Sequence, residues 1–143
     1  MEPLDLTKRA PRSPREKLGG LVLLARTIDK LRAALPGGDL GRYLVFGGQS
    51  KLLADRLDID MHELLEVVRQ AKNDDDVVAW VRRHSNTAAY AAINEFFENR
   101  VQADVPAEGR ALFESNYSVA MREKHQRMFD LLEADDAELF GGP

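Results

Sequence analysis

The sequence is poor in the residues and runs that mark secreted or membrane proteins. Its 143 residues include no cysteine, one tryptophan and three histidines. Without cysteine the chain can form neither a disulfide framework nor a thiolate nucleophile, and this composition fits a reducing compartment. Its apolar runs, such as residues 21–25, are far shorter than the ~20 residues that span a bilayer, and no apolar signal segment follows Met1. We therefore predict a cytoplasmic protein without a membrane span.

The motifs that identify common enzyme classes are also missing. There is no Gly-x-Ser-x-Gly elbow and no Gly-Lys-Ser/Thr phosphate loop. The histidines do not form a ligand set, because His62 with Glu66 would supply only two ligands. We expect no metal and no cofactor, and the sequence leaves open whether the protein is an enzyme.

Charge is distributed unevenly along the chain. Residues 1–42 contain nine Lys or Arg against five Asp or Glu, whereas the whole chain has a net charge of −4. A basic segment of this kind can bind nucleic acid, or it can pack against the acidic remainder of the same molecule or of a partner subunit. Because an acidic protein repels a polyanion, we do not expect nucleic-acid binding. A homodimer is compatible with this charge pattern.

Helix start and stop signals predict an all-α fold of five to seven helices. Ser13 as N-cap, Pro14 at the first position and Glu16 at the third predict a helix over residues 14–35. It follows an irregular basic arm, residues 1–12, and opens a single helical domain, residues 13–143. At most one short extended or hairpin segment is expected, near residues 42–46.

Further cap residues predict the later helices. Ser50, Asp60 and Asn73 are expected to cap helices ending near residues 57, 71 and 84. A longer helix follows from residue 85 or 86. Residues 107–120 and 121–133 are expected to form two helices or one bent helix, and Asp135 is expected to cap a last turn.

A glycine pair interrupts the first predicted helix. Gly19 and Gly20 each cost about 1 kcal/mol against alanine in a helix interior. The pair can kink the helix, allow another backbone to approach closely, or separate a short first turn from a main helix that begins near Leu21. It is not a phosphate-binding loop, since no strand precedes it.

One stripe of this predicted helix combines cations, a carboxylate and small residues. At 100° per residue, Arg15, Arg26, Asp29 and Lys30 lie beside the apolar face. A buried Asp29 would need partners, which we expect from Arg26 and from Lys30 or Arg32. Two hypotheses follow: a structural network around Asp29, which we favour, or a site for an anionic ligand, carboxylate or phosphate, held by the cations.

Four blocks of the sequence stand out together: Pro-Arg-Ser-Pro-Arg at residues 11–15, Leu-Gly-Gly at 18–20, the charged helix at 26–32 and the closing segment 129–142. In these blocks the sequence resembles a known bacterial family, domain of unknown function 5069. Where the family often has Pro-Cys-Pro-Leu-Asp, this chain has Phe-Gly-Gly-Gln-Ser at residues 46–50. The resemblance implies a bacterial protein and carries no activity with it.

These observations lead to two hypotheses on function. The first is a non-catalytic interaction or regulatory module that can self-associate. The second is a small-molecule binder or enzyme that acts on an anionic ligand at Arg15, Arg26, Asp29 and Lys30.

Overall fold

The structure, a computed structural model, describes residues 1–141, so Gly142 and Pro143 at the end of the predicted domain lie outside the described residues. Within residues 1–141 the fold is all-helical, with no strand. This confirms the all-α prediction, but the predicted number of helices is too low. The eight α-helices of this part of the chain are α1 (Leu24–Ala33), α2 (Gly48–Leu57), α3 (Met61–Gln70), α4 (Asp74–Arg83), α5 (Tyr90–Glu98), α6 (Ala107–Asn116), α7 (Val119–Lys124) and α8 (Met128–Phe140).

The described residues form two compact units, Met1–Asn94 and a second that begins at Glu95. In the first unit, α1 packs against α2 and α3, and α3 packs against α4. Nine of the ten α1 residues are buried, all except Arg32. A helix buried on nearly every side is the centre of a core rather than a surface helix. The first unit is therefore organised around α1.

Residues 1–12 are held against the first unit by backbone hydrogen bonds. Leu6 donates to the Asp39 carbonyl at 2.8 Å, and Asp39 donates to the Leu4 carbonyl at 3.0 Å. The Leu6 side chain is 1% exposed. This segment contains no helix, as expected, and it is part of the core packing.

The first predicted helix begins ten residues later than expected. Gly19, Gly20 and Leu23 have φ angles of 61°, 88° and 67°, which interrupt a right-handed helix before Leu24. Ser13 caps only a turn, in which its carbonyl accepts from the Glu16 N–H at 3.1 Å. Of the alternatives for the glycine pair, a separate first turn before a later helix comes nearest to the structure.

The caps of α3 and α4 are as predicted. The Asp60 side chain accepts from the N–H groups of His62 and Glu63, and the Asn73 side chain accepts from the Asp76 N–H. The helix α2 begins at Gly48, two residues before the predicted cap. Ser50 lies buried inside it and accepts from the Thr27 hydroxyl at 2.9 Å.

In the second unit, the segment predicted as two helices forms three. The helix α6 ends at Asn116, and the Ser118 side chain caps α7 by accepting from the Met121 N–H. After α7 the chain turns at residues 125–127 and continues in α8, which packs against α7. Asp135 therefore lies within α8, 9% exposed, and caps no last turn. None of the helices in residues 1–141 has the length and apolarity to span a bilayer.

Candidate functional site

Asp29 lies at the centre of a partly buried ion-pair cluster in the first unit. It is on α1, with its side chain 1% exposed, and its partner is Arg12. The Arg12 Nε and Nη2 atoms donate to the two carboxylate oxygens at 3.0–3.2 Å, and the Arg12 backbone N–H donates to Oδ2 at 2.8 Å. Among the described residues, Arg12 supplies every hydrogen bond to this carboxylate.

The same arginine also binds the start of α4. Its Nη1 and Nη2 atoms donate to Asp74 at 2.7 and 3.1 Å, and Nη2 reaches the Ala25 carbonyl at 3.3 Å. Burial lowers the pKa of Arg12, but hydrogen bonds to Asp74 and Asp29 outweigh it and raise that pKa above its ordinary value. One guanidinium thus joins three segments: residues 11–13, α1 and α4. We call Arg12, Asp29 and Asp74 the clamp.

The predicted partners of Asp29 are wrong. Arg26 donates from Nη1 to the Arg12 carbonyl at 3.2 Å, and Arg32 donates from Nε to the Glu2 carbonyl at 2.8 Å. Side chains at i±3 on one helix were expected to reach the carboxylate, but Arg12 approaches it from another segment with better geometry. Arg12 and Asp74 were not among the predicted site residues. No local spacing marks this pairing, because Arg12 lies 17 residues from Asp29 and 62 from Asp74.

Arg26 and Lys30 lie one turn apart on α1 and share an aromatic neighbour. They are 2% and 8% exposed, and Tyr43 is 8% exposed. The Arg26 guanidinium carbon lies 5.6 Å from the centre of the Tyr43 ring, and the Lys30 Nζ lies 6.0 Å from it. Both distances allow cation–π attraction. The ring therefore stabilises two neighbouring cations, a role that the sequence did not reveal.

Arg15, the fourth predicted site residue, lies on the exposed turn after Pro14. Its backbone N–H donates to the Ser13 hydroxyl at 3.1 Å. Its side chain donates no hydrogen bond to Asp29, since Arg12 provides all of those seen in residues 1–141. The structure thus brings Arg26, Asp29 and Lys30 together on α1. Whether any of these residues binds a ligand stays a prediction.

The glycine pair is packed closely rather than left open for a ligand. A Cβ atom on Gly19 would lie 2.7 Å from a Val78 methyl group. The Gly20 carbonyl accepts from Asn94 Nδ2 at 2.8 Å, and Asn94 Oδ1 accepts from the Val22 N–H at 2.9 Å. The side of Gly19 that lacks a side chain therefore faces Val78 of α4. Close packing of the Val78 side chain therefore explains Gly19, rather than the close approach of another backbone that the sequence offered as an alternative.

Two further features of the first unit face solvent. A groove of about 310 Å³ lies between α3 and α4 and is lined by Glu66, Val67, Gln70, Ala71, Asp76, Trp80 and Arg83. Leu44 and Phe46, before α2, expose 45% and 43% of their surface. In residues 1–141 no group of three or more His, Asp or Glu side chains is arranged to hold a metal ion.

Within residues 1–141, these features define an all-helical protein. In its first unit, the clamp ties the central helix α1 to residues 11–13 and to α4. The chain matches the sequence model of a protein family over residues 8–138, and that family is described as a domain of unknown function (DUF5069). Since the match covers most of the chain, this protein belongs to that family, as the sequence resemblance predicted. No curated protein matched the chain.

Proposed function

We propose that this protein is a non-catalytic interaction module that binds another protein through the surface before α2. The observation that carries the proposal is the exposure of Leu44 and Phe46. The Phe46 ring is stacked on His62, the second residue of α3, with ring centres 4.6 Å apart and planes 14° apart. Exposed apolar side chains grouped on one short segment are typical of protein-binding surfaces. We call Leu44, Phe46 and His62 the apolar patch.

The packing beneath the patch gives it a defined position. Tyr43 and Val45, which alternate with the exposed pair, are 8% and 1% exposed. Burial of these alternate residues limits the motion of the exposed side chains between them. An ordered aromatic group loses less conformational entropy on binding than a free one. This favours a role in recognition.

The clamp supports a non-catalytic interpretation. A catalytic carboxylate must have an oxygen within hydrogen-bonding reach of its substrate. Both Asp29 oxygens accept from Arg12, and the side chain is 1% exposed. In this arrangement Asp29 holds segments together. The proposal includes the cytoplasmic location that the cysteine-free sequence favours and a regulatory role exerted through binding.

A photo-crosslinking experiment tests the proposal. Benzoyl-phenylalanine is placed at position 46 in one variant and at position 112 in another, and both are irradiated in cells. Leu112, on α6, is 59% exposed and provides a matched apolar control. We expect a discrete adduct at position 46 that is lost when Leu44 is replaced by Asp. The same adducts from both positions would contradict the proposal.

A second function, binding of a small anion, is favoured by one observation. Arg26 and Lys30 lie one turn apart over one ring, with Arg15 on the nearby turn after Pro14, and such pairs of cations suit a carboxylate or phosphate. Calorimetric titration with inorganic phosphate and with citrate tests this function. We expect saturable binding of the anion. Lys30→Gln should weaken this binding, whereas Lys17→Gln, a control at an exposed residue, should leave it unchanged. Equal binding by both variants would exclude this site.

A further inference from the structure

The helix α4 has charges of opposite sign at its two ends. Asp74, Asp75 and Asp76 form its first turn, and Arg82 and Arg83 belong to its last turn. Acidic residues at the start and basic residues at the end stabilise the helix through its dipole. This accounts for the polarity of the charges, but it does not require an aromatic residue between them.

Some of these charged side chains bind other residues of the first unit, and others face solvent. Asp74 binds Arg12, and Arg82 donates to the Gly19 carbonyl at 2.9 Å. Asp76 and Arg83 are exposed. Asp76 accepts from the Lys72 backbone N–H at 2.8 Å, whereas the Arg83 side chain forms no ion pair or hydrogen bond within residues 1–141.

These outward residues share one face of α4. At 100° per residue, Asp76, Trp80 and Arg83 lie within an arc of about 60°. Ala79 is exposed beside them, and Trp80 is half-buried at the edge of the groove between α3 and α4. We call Asp76, Ala79, Trp80 and Arg83 the α4 face. It has an acid at one end, a base at the other and an aromatic ring between them.

Such a face is complementary to a copy of itself. Asp76 and Arg83 are seven residues apart, about 10.5 Å along the helix. If two α4 helices meet antiparallel about a two-fold axis near Trp80, Asp76 of each copy lies opposite Arg83 of the other. The two contacts are then identical by symmetry, as in any isologous dimer. Parallel pairing would instead place Asp76 opposite Asp76 and Arg83 opposite Arg83.

We propose that two copies of this chain associate through their α4 faces, with the Trp80 rings at the centre and two symmetric Asp76–Arg83 contacts at the rim. This goes beyond the proposed function, because it names a second copy as the partner and uses a surface other than the apolar patch. The groove beside Trp80, about 310 Å³, offers space for an apolar side chain of the other copy. A contact centred on one ten-residue helix is small, so the dimer is transient and weakened by salt.

Charge reversal at the two rim positions tests the proposal on the full chain. In a homodimer of Asp76→Arg, each introduced arginine meets the native Arg83 of the other copy. In a homodimer of Arg83→Asp, each introduced aspartate meets the native Asp76. Sedimentation equilibrium at low salt should show self-association of the native chain, weakened about tenfold or more in either variant. Arg9→Asp makes the same charge change on an exposed residue outside α4 and should leave association unchanged.

Mixing the two variants gives the most specific result. In a mixed dimer the introduced arginine meets the introduced aspartate at one rim contact, and the native Asp76 and Arg83 meet at the other. An equimolar mixture should therefore regain association that neither variant has alone. Trp80, the single tryptophan, should shift its emission with concentration in the mixture as it does in the native chain. Circular dichroism shows whether each variant is folded. If Asp76→Arg does not fold, the comparison of Arg83→Asp with Arg9→Asp still tests the proposed dimer.

Three outcomes overturn the proposal. They are a native chain that stays monomeric at all concentrations, an Arg83→Asp variant that associates like Arg9→Asp, and a mixture that associates no better than its components. Association lost in Leu44→Asp but kept in Arg83→Asp would assign the contact to the apolar patch instead. Failure of the crosslinking experiment at position 46 leaves this test unaffected, because the two surfaces differ.

Discussion

Two arginines of the first unit bind carboxylates in very different surroundings. Arg12 meets Asp29, whose side chain is 1% exposed, whereas Arg69 meets Glu66 with both side chains more than half exposed. Both pairs include two-pronged hydrogen bonds, at 3.0–3.2 Å in the clamp and at 2.5 and 2.9 Å on α3. Geometry alone would rank the surface pair as the stronger.

Burial reverses that ranking for stability. Water screens the charges of Arg69 and Glu66 whether or not they meet, so their pairing changes the free energy of unfolding little. Asp29 has no access to water and depends entirely on Arg12. Removal of one partner from a buried pair leaves an uncompensated charge. The comparison teaches that Asp29 needs Arg12 as long as it is charged and buried, whereas Glu66 and Arg69 can each turn to water instead.

The largest expected effect follows from removing Arg12. Arg12→Met should lower the free energy of unfolding by about 3–5 kcal/mol, because the Asp29 carboxylate stays buried without a donor. Urea denaturation followed by Trp80 fluorescence measures the loss. Arg69→Met is the matched control on the surface and should leave the midpoint nearly unchanged. Similar losses in the two variants would remove the distinction between the pairs.

A double variant sharpens this prediction. In Arg12→Met with Asp29→Leu, both charges of this ion pair are removed, and an apolar pair of similar size replaces it. We expect the double variant to be more stable than Arg12→Met alone, since buried ion pairs seldom exceed well-packed apolar contacts in net stabilisation. If the double variant is as unstable as the sum of both single variants, the clamp contributes through its links to Asp74 and Ala25 instead.

The next effect concerns the contact that brings α4 close to residues 18–21. Gly19→Ala should lower the free energy of unfolding by roughly 1–3 kcal/mol, because its φ of 61° is left-handed and its Cβ would lie 2.7 Å from Val78. Gly20→Ala is the control: its φ of 88° is also positive, but its Cβ would have no neighbour closer than 3.6 Å. The difference between the two variants isolates the clash.

Val78→Ala tests the same contact from the other side. In the Gly19→Ala background it should restore part of the stability, since it removes the methyl group that the new Cβ meets. In the native background it should only destabilise, as expected for loss of packed methyl groups. Thermal denaturation of the four chains gives the coupling. Additive effects would show that backbone strain, rather than the clash, sets the cost of Gly19→Ala.

Sequence reasoning succeeded where the determining contacts are local. Asp60 and Asn73 cap helices through N–H groups two or three residues ahead, so the α3 and α4 caps could be predicted from spacing. Leu24, Ile28 and Leu31 likewise recur at helical spacing in the sequence, which predicts one apolar helix face, and on α1 they are at most 1% exposed. These signals lie within one or two helical turns of each other.

Sequence reasoning failed where residues far apart in the chain determine the backbone conformation. The start of α1 could not be predicted correctly, because a distant residue holds the turn before it. Asn94 accepts a hydrogen bond from the Val22 N–H, although it lies 72 residues away in the chain. Leu23 adopts a φ of 67° while fully buried, which no residue preference would predict. Asp29 was identified as a buried carboxylate, but its partner Arg12 could not be, because the two residues lie 17 positions apart with irregular turns between Arg12 and α1.

The smallest expected effect is the pH dependence of the surface pair. Hydrogen bonds from Arg69 and then Gln70 lower the pKa of Glu66 from 4.5 to about 2. Because the folded state holds the proton less tightly, the pair stabilises the fold above pH 4.5 and loses that contribution as the pH falls to about 2. Glu66→Gln should therefore make the free energy of unfolding fall less steeply within this window, as should Arg69→Met. The change is slight, since both side chains are exposed. Urea midpoints at intervals from about pH 5 to about pH 2 measure it, and a slope identical to that of the native chain would show that water screens this pair completely.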